Sequence, residues 1–381
     1  MTPYDSLPEK AFWSSGVARR NPLEVTGLWD PKAPITTSMP ISTYGSCFAQ
    51  HFSRALVARG FSWLNAEPAP ARLPDELAQK FNYGVFSART GNIYTVGLLR
   101  QWIAWASGEE EMPAEIWEKN GRFYDPFRPR IEPEGFASRE ELLASREMVL
   151  EAFLRSITEA KLFVYTLGLT ESWVNTEAGY EYPMCPGTAA GTFDPDRHQF
   201  FNRTFVEIHK VLRDCLKRLR ALNPRLRVLL TVSPVPLTAT ASGNHVLVAT
   251  MQSKSVLRAV AGQAADELAF VDYFPSYEII NAPTYRGFFF EANQRNVAHT
   301  GVDHVMGEFF RCLSAKYPEV MAEAPRAAVK AKAKAKAKVR AARAEPASAG
   351  PEAPEPANDE LVCEEALLAA FAPGSKTQDG K

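Results

Sequence analysis

The apolar positions of the chain fall into two kinds of run that take turns. One kind is short and nearly unbroken: Ile41–Tyr44, Lys161–Leu167, Arg227–Ser233 and Phe270–Phe274. Such runs fit strands of a parallel sheet covered on both faces. The other kind is longer and periodic. Phe48, Phe52, Leu56 and Val57 follow the first run at helical spacing. Leu98, Leu99, Trp102 and Ile103 repeat that spacing. So do Leu142, Leu143, Val149, Leu150, Phe153 and Leu154, behind a capping box of Ser138 and Glu141. Phe205, Ile208, Val211, Leu212, Leu216 and Leu219 mark a further helix, ended near Asn223-Pro224. Another spans about residues 250–267, and Val302, Val305, Met306, Phe309, Phe310 and Leu313 close the series. Phe61-Ser62-Trp63 reads as a second short strand. Strand and helix alternate throughout, which predicts an α/β fold: one three-layer α/β/α domain with a mostly parallel sheet.

Composition sets the boundaries. Residues 1–34 are rich in Pro, Trp and polar residues and read as an irregular lead-in; 35–320 form the α/β domain. From 321 to 381 the chain is of low complexity. Arg326–Arg343 holds bases and no acid, and Glu345–Glu365 holds acids and no base. So little apolar content predicts a disordered tail. Within it, Leu361, Leu367, Leu368 and Phe371 predict a short helix formed on contact. The basic block offers weak attraction to an anionic partner, although the two blocks partly neutralise each other.

Charge and cysteine usage remove several function classes. The 381 residues carry a net charge of −1, which points away from nucleic acid and from anionic membranes. The five cysteines include no CxxC pair, and the six histidines show no ligand spacing, so no metal and no cofactor are expected. Free cysteines suit a reducing compartment. The N-terminus lacks the pattern of a signal peptide, and no apolar run approaches the ~18 residues of a membrane span. The expectation is a soluble cytoplasmic protein.

The candidate chemistry gathers on Ile41–Phe52. A strand, a glycine turn and a helix raise a small nucleophile to the carboxyl edge of a sheet. A helix N-terminus pushes a thiol toward thiolate. Cys47 is therefore the candidate nucleophile and Ser46 the reserve. The plainer reading makes Cys47 a small buried residue, as free cysteines mostly are. Phe81–Thr95 has two glycines among aromatics, Gly84 and Gly91, and reads as a backbone-exposing loop. Tyr182–Thr188, with proline on either side of Met184-Cys185, is a stiff loop placed to line the mouth of a site; Cys185 itself reads as structural.

The string Gly45-Ser46-Cys47-Phe48-Ala49 is the motif of the GSCFA-domain family, which resembles the SGNH (GDSL-type) hydrolase superfamily. The resemblance runs from about Ile35 to about Tyr317. It implies that Cys47 stands at the nucleophile and Ser46 at the acidic position before it. It also implies an oxyanion site built from Gly84, after Asn82, with Gly91 as rival, and from Gly168 and Thr170 after the second buried strand. There Thr170 replaces an Asn and donates through a hydroxyl, or else caps a following helix. In Asn296-Val297-Ala298-His299, His299 matches the general base and Asn296 replaces the usual Asp. A Cys–His pair oriented by an amide suits a thiol, which needs a weaker base than a hydroxyl. Asp303 and Glu291 are the alternatives to Asn296.

The resemblance implies an acyl-ester hydrolase or acyltransferase acting on a small-molecule or glycan acyl substrate, with an acyl-CoA as a candidate donor. The missing Asn and Asp favour the alternative, an inactive SGNH-like module that binds a glycan or protein, with the charged tail as adaptor.

Overall fold

The computed structural model describes residues 2–319 and 361–372. The expectation of disorder for the rest of the tail lies outside the described residues. Chain order gives β1 (Ile41–Gly45), α1 (Phe48–Ala58), α2 (Asp75–Lys80), α3 (Val96–Ala106), β2 (Trp117–Lys119), β3 (Arg122–Tyr124) and α4 (Arg139–Thr158). There follow β4 (Leu162–Leu167), β5 (Glu171–Asn175), β6 (Tyr180–Tyr182), β7 (His198–Asn202), α5 (Phe205–Leu222) and β8 (Arg227–Val232). The domain ends with α6 (Val246–Glu267), β9 (Val271–Tyr273), α7 (Ser276–Asn281) and α8 (His299–Lys316).

The central sheet is parallel throughout, in the order β1-β4-β8-β9. Tyr44 lies beside Tyr165 and Gly45 beside Thr166. Along each strand the side chains alternate between two cores, the period-2 geometry of a pleated sheet. Tyr44, Phe163, Tyr165, Leu167, Val228 and Leu230 face α3, α4, α5 and α6. Ile41, Leu162, Val164 and Leu229 face α1, α7 and α8. The three layers follow from this alternation. The lead-in packs on the second core, where Trp29 stacks on Phe309 at 5.1 Å and donates from Nε1 to Asp272.

Two local readings change. Phe61-Ser62-Trp63 forms no strand, only one bridge between Ile41 and Trp63. Its backbone makes bonds to Thr37 and Ile41, and the chain then leaves into a proline-containing loop. The residues after Thr170 are not helical. They form β5, the centre of a three-stranded antiparallel sheet in the order β6-β5-β7. Thr170 therefore caps no helix; its hydroxyl donates to Asn202 Oδ1 at 2.7 Å.

Residues 361–372 lie against this domain. Glu364–Phe371 is a short 3-10 helix, with Leu361, Leu368 and Phe371 directed at the domain's own side chains.

Candidate active site

The site grows out of one backbone bend. Gly45 ends β1 with φ +125°, and a Cβ there would stand 2.2 Å from the Thr166 carbonyl oxygen. Only glycine makes this turn without displacing β4. The Ser46 N–H then donates to Thr166 O at 3.0 Å, and Gly45 O accepts from Ile93 N at 2.8 Å. Cys47 follows as the residue that opens α1, at the carboxyl edge of the sheet. It is 4% exposed and packs with Val235, Val297 and Cys363.

Two neighbouring segments complete the floor. Gly168 and Leu169 both donate to Tyr94 O, which pins the Gly91–Tyr94 loop over the end of β4. A Cβ on Gly168 would meet the Ser46 and Tyr94 side chains at 3.1 Å, so the close approach needs a glycine here. Gly168 O accepts from Lys254 Nζ at 2.7 Å. Lys254 comes from α6 and is 1% exposed. Burial pulls its pKa down to about 8, opposed by Glu365 and Cys47.

The residues 361–365 run across this floor. The Gln50 side-chain amide pairs with the Val362 peptide group both ways, donating to its O at 2.7 Å and accepting from its N at 3.1 Å. Asn92 Nδ2 also donates to Val362 O, at 2.7 Å. Arg130 donates to Cys363 O at 3.0 Å. The Glu364 carboxylate accepts from Asn92 Nδ2 at 2.5 Å and from the Tyr94 hydroxyl at 2.7 Å. The Glu365 carboxylate pairs with Arg295 at 3.3 Å and lies near Lys254; burial raises its pKa. The Cys47 and Cys363 side chains pack on one another, and their thiols titrate in each other's field. Such a pair titrates as a unit. Its first proton leaves more easily than from a lone buried thiol, because the remaining S–H donates to the thiolate and Arg295 lies beside it. The second proton stays on Cys47, whose pKa is held well above the usual thiol range by the neighbouring Cys363 and by burial; with Cys363 packed on it the start of α1 does not make this thiol a thiolate.

The sequence profile of the GSCFA family matches residues 40–309. The chain belongs to the GSCFA family. No curated protein matches it. The matched stretch takes in β1, the whole sheet and most of α8, and stops before residues 361–372. The GSCFA domain thus supplies the floor, and a segment beyond the match lies on it. Among the described residues no cluster of His, Cys, Asp and Glu suits a metal ion, and no helix is long and apolar enough to cross a membrane.

The anticipated residues divide sharply. Cys47 and Gly168 lie together on the floor, with Ser46 between them, its hydroxyl buried and without a hydrogen-bond partner among the described residues. Gly84 and Asn82 lie elsewhere, which corrects the choice between the two loop glycines. Gly84 is exposed with open space around it, and Asn82 is buried and donates to the backbone O of Arg130. The rival, Gly91, is the one at the site; a Cβ there would stand 3.2 Å from Glu364 Oε1. Thr170 is buried but directs its hydroxyl at Asn202 rather than at the thiol.

His299 and Asn296 are not brought to Cys47. The His299 side chain is 87% exposed, and its Nδ1 sits 3.0 Å from Asp303 Oδ2, one turn along α8. Asn296 is exposed. The physical reason is the phase of the chain entering α8. Arg295 and Val297 turn toward the thiol and Asn296 between them toward water; the alternation ends where α8 begins, and the helix carries the His299 ring out to Asp303.

Sequence reasoning missed Lys254, Arg295, Asn92, Tyr94 and Gln50. Lys254 left a signal: it precedes Leu257 by three positions, in the apolar phase of α6, where a lysine is out of place unless it is used. The Pro183–Thr188 loop lines a cavity of about 250 Å³ with Trp173, Phe200 and Leu237, next to Glu365.

Proposed function

We propose that this GSCFA protein is an acyl-transfer enzyme, an ester hydrolase or acyltransferase, with Cys47 as nucleophile. The observation that carries the reading is the position of the thiol. It stands where a parallel strand turns through a glycine into a helix, beside a buried lysine and a loop rich in donors. The resemblance of the motif to the first block of SGNH hydrolases supports the same role.

In this reading the Cys47 thiolate attacks the carbonyl carbon of an acyl ester. The first-turn N–H groups of α1 and the Asn92 amide receive the oxyanion. Collapse breaks the ester C–O bond and leaves a thioester on Cys47, and the departing alkoxide takes a proton. Water then releases the acid, or a sugar hydroxyl takes the acyl group. The Lys254 ammonium favours the thiolate electrostatically. His299 carries the proton once residues 361–365 are off the floor, when its ring exchanges Asp303 for the sulfur. An acylated glycan is the substrate class this reading favours, with an acyl-CoA as donor for the transfer direction.

The test is turnover of aryl acetates, and of an acyl-CoA with sugar acceptors, by the wild type, Cys47→Ala, His299→Ala and Lys254→Met. Loss in Cys47→Ala is expected. Full turnover in that variant removes the mechanism. Turnover that survives His299→Ala and fails in Lys254→Met moves the proton to the lysine.

The separation of the His299 ring from Cys47 favours a second reading, a GSCFA module that binds a glycan or protein without turning it over. Glycan or protein binding that survives Cys47→Ala, with no turnover by the wild type, would support it.

A further inference from the structure

The contacts across Cys47 have the character of ligand recognition. The donors converging on residues 362–365 each meet an acceptor. Gln50 and Asn92 take the Val362 peptide group, and Arg130 takes the Cys363 carbonyl. Asn92 and Tyr94 take one carboxylate, and Arg295 takes the next. Tyr94 also accepts from Glu364 N at 3.2 Å, so the backbone is read on both its donor and acceptor sides. Further along, Leu368 and Phe371 cap the aromatic-lined cavity beside Trp173 and Phe200. Every recognising residue lies inside the matched GSCFA stretch, and the recognised segment lies outside it.

We infer that the cleft over Cys47 is a binding site for an acidic peptide chain with two adjacent carboxylates and an apolar end. We infer further that this protein's own residues 361–371 occupy it as a tethered inhibitor. Occupancy does not depend on whether Cys47 is catalytic. The segment covers the thiol, since Cys47 is 4% exposed with Cys363 packed on it. Tethering makes the encounter intramolecular, so an untethered ligand must outcompete a high local concentration of the segment. Anything that draws the acidic segment away uncovers Cys47.

The test uses the full chain and reads alkylation of each cysteine by iodoacetamide with mass spectrometry. In the wild type Cys47 reacts slowly. In Glu364→Lys/Glu365→Lys, where one lysine meets the Asn92 and Tyr94 donors and the other faces Arg295 and Lys254, Cys47 reacts at least tenfold faster. A synthetic peptide of residues 361–372 carrying Cys363→Ser, added in trans to that variant, slows Cys47 again; the same peptide with both glutamates changed to lysine does not. Equal Cys47 rates in wild type and variant overturn the proposal, as does a Cys363→Ser peptide with both glutamates intact that has no effect. Cys215, on the buried face of α5, is the fold control. If it too becomes reactive in the variant, a second arm decides. Hydrogen peroxide added to the wild type oxidises the Cys47 and Cys363 thiols to one disulfide, with loss of two hydrogens, and is itself reduced to water. A Cys47–Cys363 cross-linked peptide in the digest upholds the contact, and its absence overturns it. None of these readouts needs turnover, so an inactive protein still gives them.

Discussion

Two helix starts face the same edge of the sheet and meet opposite fates. Cys47 opens α1 and is 4% exposed; His299 opens α8 and its side chain is 87% exposed. In the sequence both stood out as candidates for the same site. The difference lies in what precedes them. Before Cys47 runs a strand hydrogen-bonded along β4, which leaves the thiol no choice of direction. Before His299 runs a loop held by turns such as Glu291 N to Asn296 O, by one bridge, Phe290 to Val297, and by the Arg295–Glu365 pair, with no strand ladder along it. A residue anchored by a sheet is placed by the fold; a residue after a loop takes whichever partner is near, here Asp303.

The strongest way to break that contrast is Gly45→Ala. The added Cβ meets the Thr166 backbone and the residue must keep φ +125°, so a loss of ~3 kcal/mol or more is expected, read as a lower midpoint in urea unfolding. An unchanged midpoint would mean that β1 is not the rigid anchor described.

Lys254 sharpens the comparison through pH. Its folded pKa, about 8, lies below the ordinary lysine value, so between about pH 8 and 10.5 the unfolded chain binds more protons than the folded one. Stability contributed by this group therefore rises with pH across that window, by up to ~3 kcal/mol. Lys254→Met should flatten the rise. A wild type whose unfolding free energy falls steadily from pH 8 to 10 would contradict it.

Asp125 sets the same sign in acid. Burial opposes its ionisation, but Arg146 and Arg128 hold the carboxyl below its ordinary value. Its contribution is present at neutral pH and lost as pH falls through that lowered value, and Asp125→Asn should cost ~3 kcal/mol by leaving two buried guanidinium groups short of a partner. Chemical unfolding at pH 7 measures it.

His299→Ala is the smallest effect. An exposed pair of this kind is worth ~0.5 kcal/mol or less, so the midpoint should scarcely move. A shift above 1 kcal/mol would show the ring to be more firmly placed than its exposure allows.

Legibility followed the same divide. The buried strands and the helices α1, α4, α5 and α8 were readable because periodicity and caps are written locally. Ser138 caps α4 by accepting from Glu141 N, as its spacing predicts. The antiparallel sheet around β5 was not readable, since its three short strands owe their partners to one another. Gly84 and Gly91 carry the same local signal, and only the packing of Gly91 against Glu364 separates them.

The sequence by itself determined a parallel α/β domain and set a cysteine at the end of its first strand, because alternation and a glycine turn act over a few neighbouring residues. Tertiary structure alone decided that Lys254 and Arg295 would stand beside that thiol, that His299 would face water, and that an acidic segment from beyond the domain would cover the site. Those choices rest on which surfaces meet across more than two hundred positions of chain, and no local pattern carries that information.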